Sequence, residues 1–214
     1  MSHPPSPKPI AVVANEIEAV LKWTSTDETR EHLHYVAFRD DEYIATDGHR
    51  LVRVPCTTRG QSFSLHRDHL RCALAAFRVQ RTSRFMDLNP VGPLIDNGVP
   101  RAEIWVGPET NPQLMRCSLP MSGVADVHAT SNVAKVTKGA IAGQPLHGHW
   151  IDPKYLAAVA EVHAADGGDG HDIKGIEVVA CSTDRKGPIV FRNGKGITFV
   201  IMPLWNQNLE QRRK

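Results

Sequence analysis

Apolar positions along the chain recur with two periods, one near 3.6 and one of 2, and the two follow each other in the same order three times. Ile10 to Ala14 is a short apolar run that reads as a strand. Asn15 offers a helix cap, and Ile17, Val20 and Leu21 then fall at helical spacing through about Trp23. Thr24 to Arg30 is polar and loop-like. From His34 to Arg39 the pairs Tyr35/Ala37 and Val36/Phe38 alternate as in a strand, and Asp40-Asp41 marks a turn. Tyr43 to Pro55 reads as a hairpin. Leu51-Val52-Arg53-Val54 alternates as a strand with one face in water, and Asp47-Gly48 supplies the bend, since glycine accepts positive φ without a steric penalty.

The second cycle starts with a short strand at Ser62 to Leu65. A helix over His66 to Val79 follows, its apolar stripe made by Leu70, Leu74 and Phe77. Candidate strands at Arg84–Leu88, Ala102–Val106 and Gln113–Leu119 are separated by Pro- and Gly-bearing turns. Ser122 to Gln144 is poor in large apolar residues and reads as a linker or extended crossing segment. In the third cycle, Asp152 is a good N-cap with Pro153 at the first helical position, and Tyr155, Leu156, Val159 and Val162 line the helix. Strands at Ile176–Cys181, Ile189–Arg192 and Ile197–Pro203 close the chain. The pattern is thus α+β, three copies of a strand, a helix and antiparallel strands. A unit that cannot bury its own face points to lateral assembly.

Composition narrows the class. The 214 residues are 41% hydrophobic and 22% charged, an ordinary globular balance. No apolar run approaches the ~20 residues that span a bilayer. Residues 1–9 are rich in Pro and Ser and lack the apolar core of a signal peptide, so a cytoplasmic protein with a flexible leader is expected. Cys56, Cys72, Cys117 and Cys181 form no Cys-x-x-Cys pair and read as small apolar residues in a reducing compartment. A net charge of +2 leaves any nucleic-acid contact to local patches.

Around the bend at residues 46–51, Thr, Asp, His and Arg crowd more tightly than a plain hairpin requires. Thr46-Asp47-Gly48-His49-Arg50-Leu51 resembles the TDGHRL segment of the bacterial β sliding clamp, the processivity subunit of DNA polymerase III. The ending Val200-Ile201-Met202-Pro203-Leu204 is similar to that family's carboxyl-terminal Val-Met-Pro-Met. The resemblance implies a DNA-clamp fold, with helices on one face of the sheets. Residues 10–120 would be one domain like the clamp's middle domain. Residues 121–204 would be a partial domain like its last one, and 205–214 a basic tail. It also implies a pocket for the short clamp-binding peptides of polymerases and clamp loaders, lined by Thr46, Gly48, His49, Arg50 and Leu51 with Val200, Met202 and Pro203. Pro120 and Val124 fall where the family's pocket has a Pro and a Val. Leu51, Val200 and Met202 would form an apolar floor, and Thr46, His49 and Arg50 a hydrogen-bonding rim. The bland reading of the same residues is core positions of two strands.

For duplex DNA, held without sequence readout inside a homo-oligomeric ring, the candidates are Arg67, Arg71 and Arg78, spaced i, i+4 and i+11 on the second helix, with Arg81 and Arg84 after it. A solvated helix face is the alternative. Two further functions stay open: a regulatory decoy that binds clamp partners without DNA, and a metal-dependent enzyme using His163, Asp166, Asp169, His171 and Asp172. Against an enzyme, Walker, dinucleotide and G-x-S-x-G motifs are missing, and the His/Asp spacing is loose for zinc. No catalytic residue, metal, cofactor or membrane partner is expected.

Overall fold

The computed structural model describes residues 10–80, 85–89, 101–105, 116–122, 140–142, 151–165, 175–182 and 187–203. The leader 1–9, Arg81, Arg84, Val124, most of the 122–144 stretch, the Gly-rich loop after Ala165 and the tail lie outside them.

The elements follow the apolar periods closely. Strand β1 is Ile10–Val13 and helix α1 Ala14–Leu21. A 3-10 turn at Glu28–Leu33 precedes β2 (Tyr35–Arg39), β3 (Glu42–Thr46), β4 (Arg50–Pro55) and β5 (Phe63–His66). Helix α2 is Arg67–Gln80, and β6 (Phe85–Asn89), β7 (Arg101–Trp105) and β8 (Arg116–Ser122) follow it. The last unit holds β9 (Ile141–Ala142), α3 (Pro153–Ala165), β10 (Glu177–Cys181), β11 (Ile189–Arg192) and β12 (Thr198–Ile201). Strand β9 falls within the stretch read as a linker.

Two helix starts show how local chemistry works. At α3 the cap is as the sequence predicts: Asp152 Oδ1 accepts the Lys154 N–H at 3.0 Å. At α1 it is not. Val13 holds the cap position with no side-chain bond, and Asn15 sits exposed inside the helix. The chain runs straight from β1 into α1, leaving no turn in which an Asx side chain could act.

The described strands join in the order β1-β6-β7-β8-β5-β2-β3-β4-β12-β11-β10-β9, each neighbouring pair antiparallel. The joint between β4 and β12 is the one that spans the chain. It brings a strand from residue 50 beside one from residue 200 and so welds the last unit to the first.

The three α-helices among the described residues share one face of this sheet. Ile17, Val20 and Trp23, then Leu70, Leu74 and Phe77, then Tyr155, Val159 and Val162 bury against Val36, Phe38, Val52, Val54, Phe199 and Ile201 in one core. Leu156 departs from the expected apolar stripe and stands 44% exposed, one residue off the buried arc. The opposite face of the sheet carries a second, smaller cluster of Ile44, Leu51, Val190 and Val200. That narrows the reading of β4 as a strand with one face in water: Leu51 is buried in this cluster, while Arg53 on the same face keeps part of its side chain exposed beside Glu42.

Candidate peptide-binding site

The site is built at the β3–β4 turn. Thr46 Oγ1 donates to the Arg50 carbonyl at 2.7 Å and accepts from the Gly48 N–H at 3.1 Å. Asp47 Oδ1 accepts from the N–H groups of His49 (2.9 Å) and Arg50 (3.0 Å), and Asp47 Oδ2 accepts from Arg50 Nε at 2.9 Å. Gly48 turns the chain at φ +90, and a Cβ there would lie 3.1 Å from Arg30 Nη1. The crowding of Thr, Asp, Gly and Arg is therefore first of all the wiring of a tight turn. His49 is left exposed at its tip.

Strand pairing then brings together the residues expected to form the floor. Thr46 faces Leu51 across the hairpin, Leu51 faces Val200, Val200 faces Val190, Val190 faces Ala180, and Ala180 faces Ala142. These residues form one cross-strand row. Leu51 is 3% and Val200 1% exposed, and the half-buried Ala140, Val179 and Ala180 pack on them. Past the end of β12 the ladder takes one further step, the Met202 N–H donating to the His49 carbonyl at 2.9 Å. Met202 and Pro203 keep part of their surface. Two segments about 150 residues apart in sequence thus meet side to side.

Arg50 goes the other way. Side chains alternate along a strand, so Arg50 leaves β4 on the helix face, opposite Leu51. Its Nη2 donates to the Lys22 carbonyl at 2.6 Å, and its guanidinium lies 4.9 Å from the Trp23 ring centre and 5.2 Å from that of Tyr155. Among the rim candidates Thr46 and Arg50 are thus committed within the protein, and His49 alone is exposed. Pro120 stands in β8, with β5, β2 and β3 between it and β4, a span of about 19 Å at ~4.8 Å per strand. Val124 lies outside the described residues.

The proposed DNA face needs one correction. Arg67 does not share an exposed face with Arg71 and Arg78. It is 7% exposed, and its Nη1 donates to the Ser25 carbonyl. As the first residue of α2 it turns back under the 24–33 segment, where its own N–H also donates to the His34 carbonyl at 2.8 Å. Arg71 and Arg78 are exposed, but each has a carboxylate: Arg71 lies 3.4 Å from Asp68, and Arg78 pairs with Glu18 of α1. Lys22 likewise pairs with Glu161 of α3 at 3.0 Å. Arg81 and Arg84 lie outside the described residues.

The signals for other chemistry are modest. Among the described residues no group of three or more His, Cys, Asp or Glu is placed to hold a metal ion. Of the His/Asp loop only His163 is described, its Nδ1 3.5 Å from Asn193 Nδ2. His66 sits between His34 and His69, with ring centres 5.7 and 5.5 Å away, and burial lowers its pKa against the pull of Asp68. Burial pushes the Cys56 thiol up to about 12, helped by Asp41, Glu42 and Glu16, so it stays protonated and a poor nucleophile. No helix among the described residues is long and apolar enough to cross a membrane.

No family model and no curated protein matches the sequence. Solved structures do. The chain is similar to the β sliding clamp of Caulobacter crescentus at 17% identity and a TM-score of 0.54, covering 96% of this chain and 67% of that one. The DNA polymerase III β subunit of Thermotoga maritima gives 12% identity and a TM-score of 0.57, covering 96% of this chain and 68% of that one. That of Pseudomonas aeruginosa gives 10% and 0.55, with the same coverage of 96% and 68%. The chain therefore spans about two thirds of the length of these structures, and it is a divergent protein with the DNA-clamp fold of the bacterial β sliding clamps.

Proposed function

We propose that the protein is a sliding-clamp-like accessory factor of DNA replication or repair that binds the clamp-binding peptides of polymerase or clamp-loader proteins. The observation that carries this reading is the junction of the Thr46–Leu51 turn with the Val200–Pro203 segment, closed by the Met202–His49 bond. The Caulobacter crescentus clamp, a neighbour in fold, was solved with polyethylene glycol in a region ascribed to tethering of the β-motif. Here a peptide's apolar anchor seats against Met202 and Pro203 above the Leu51/Val200 floor, and the exposed His49 offers a polar contact beside it. The test is titration of a fluorescent clamp-binding peptide against the wild-type chain and Met202→Glu. Saturable binding is expected for the wild type, with a loss of at least about tenfold in the variant and an unchanged melting curve. Equal binding by both proteins rules this site out.

A second reading, a regulatory clamp that holds partners without gripping DNA, is favoured by the helix face. Lys22, Arg71 and Arg78 are all exposed cations there, and each faces a carboxylate of the same face. Exposed pairs of this kind contribute only ~0–1 kcal/mol to stability. Their larger effect is on the field: a cation already neighbouring a carboxylate gains little by approaching a phosphate. Wild-type binding to duplex DNA is accordingly expected to be weak at 50 mM salt. The triple variant Glu18→Gln, Asp68→Asn, Glu161→Gln frees three cations and should bind more tightly, its log–log salt slope steeper by up to ~0.9 for each phosphate engaged. Tight wild-type binding, unchanged in the variant, removes this reading and restores duplex encirclement by a homo-oligomer.

A further inference from the structure

The peptide-binding turn is held from the far side of the sheet. Arg50 is anchored three ways at once. Its Nε is bound to Asp47 inside the turn, its Nη2 to the carbonyl of Lys22, the C-cap of α1, and its guanidinium carbon lies within 4.9 and 5.2 Å of the ring centres of Trp23 and Tyr155. A cation bound at a helix C-terminus satisfies a free carbonyl and meets the negative end of the helix dipole. Tyr155 belongs to α3 and Trp23 follows α1, so the one side chain touches helix-layer groups from both the first and the last unit. The turn it fixes presents the His49 carbonyl to Met202.

We propose that Arg50 is a positioning residue of the peptide site: it does not touch the bound peptide but sets the turn, and through it the Met202 strand end, from the helix layer. This role rests on the peptide-binding reading of the site. Strand alternation is the physical reason for it. A residue that leaves β4 on the helix face cannot line a groove on the Leu51 face, yet its Asp47 bond closes the loop from which His49 projects. A planar fork serves here better than an ammonium, because it donates from Nε and Nη2 to two separate acceptors while staying close to both rings.

Amide hydrogen exchange in the free protein, read at Met202 with Val52 as an internal reference, tests the positioning directly. Arg50→Lys and Tyr155→Leu should each speed exchange at Met202 by about tenfold relative to Val52, while Tyr155→Phe, which keeps the ring, should behave as wild type. The same two variants should weaken the fluorescent peptide by about tenfold. If Arg50→Lys does not fold, Tyr155→Leu carries the test alone. Exchange at Met202 that moves no more than at Val52 overturns the proposal. So does peptide affinity that falls with Arg50→Lys but not with Tyr155→Leu, since Arg50 would then be acting by contact. Faster Met202 exchange in a protein whose wild type takes no peptide sinks the peptide reading and leaves the positioning of the turn standing.

Discussion

Leu51→Asp is expected to leave little folded protein at neutral pH. Leu51 is 3% exposed and its neighbours in the cluster, Ile44, Val190 and Val200, offer no hydrogen bond to a carboxylate. The substitution loses ~1.5–3 kcal/mol of apolar burial. It also places an unpaired charge where desolvation costs several kcal/mol more. Against a total stability of about 5–15 kcal/mol for a protein of ordinary stability, that is enough to populate the unfolded chain. The sign of the pH dependence comes from the same burial. A buried Asp has its folded pKa raised above the unfolded value of ~3.9, so stability falls as pH rises from that value through the higher folded one, and it is partly recovered in acid. Urea unfolding followed by circular dichroism at pH 7 and pH 4 measures both effects. A wild-type midpoint at pH 7 would mean that the floor opens readily to water. The contrast with Met202→Glu, whose site keeps surface, separates a residue of the proposed pocket from one that holds the sheet together.

That contrast marks how far the sequence could be read. The helical stripe Leu70, Leu74, Phe77 is buried as its spacing demands, because a period of 3.6 on a surface helix has only one physical solution. The hairpin around Asp47-Gly48 was equally legible, since few residue pairs make so tight a bend. Arg67 was not. Helical spacing places it near Arg71, but residues at the first turn of a helix also meet the chain entering it, and a long side chain there can fold back onto a carbonyl such as that of Ser25. Whether Arg78 was a free cation was likewise invisible, because the carboxylate of Glu18 comes from another helix; the partner of Arg71, Asp68, stands three residues before it on the same helix. Arg50 shows the subtlest limit. Its place in the TDGHRL-like segment suggested a rim residue of the pocket. Strand alternation, present in the sequence all along, sends it to the other face. What one sequence could not supply was the identity of Trp23, Lys22 and Tyr155 as its partners, three contacts fixed only by the packing of α1 and α3.

Trp23→Ala should be among the most damaging truncations in the helix-facing core, and Trp23→Phe far milder. The indole is fully buried, 5.7 Å from Phe199 between ring centres, and Arg50 lies on it. Truncation to Ala leaves a large cavity and typically costs ~3–5 kcal/mol. Here it also strips Arg50 of one of its two rings, so the loss should reach the upper end of that range. For a chain of this size each kcal/mol is worth ~2–4 °C, giving a fall of at least about 10 °C in Tm. Phenylalanine keeps a ring against Phe199 and Arg50. It also removes a liability, because Trp23 Nε1 is buried without a hydrogen-bond partner among the described residues. A buried donor left unsatisfied costs ~1–3 kcal/mol, so its removal offsets part of the lost volume. The expected result is a Trp23→Phe protein within ~1.5 kcal/mol of wild type, measured by urea unfolding on matched samples. If Phe instead costs as much as Ala, the indole N–H has a partner in solution, and the core around Arg50 is more polar than its packing suggests. A small cost for Ala would mean that the α1–sheet interface collapses to fill the space, and that the ring under Arg50 is dispensable for holding the turn.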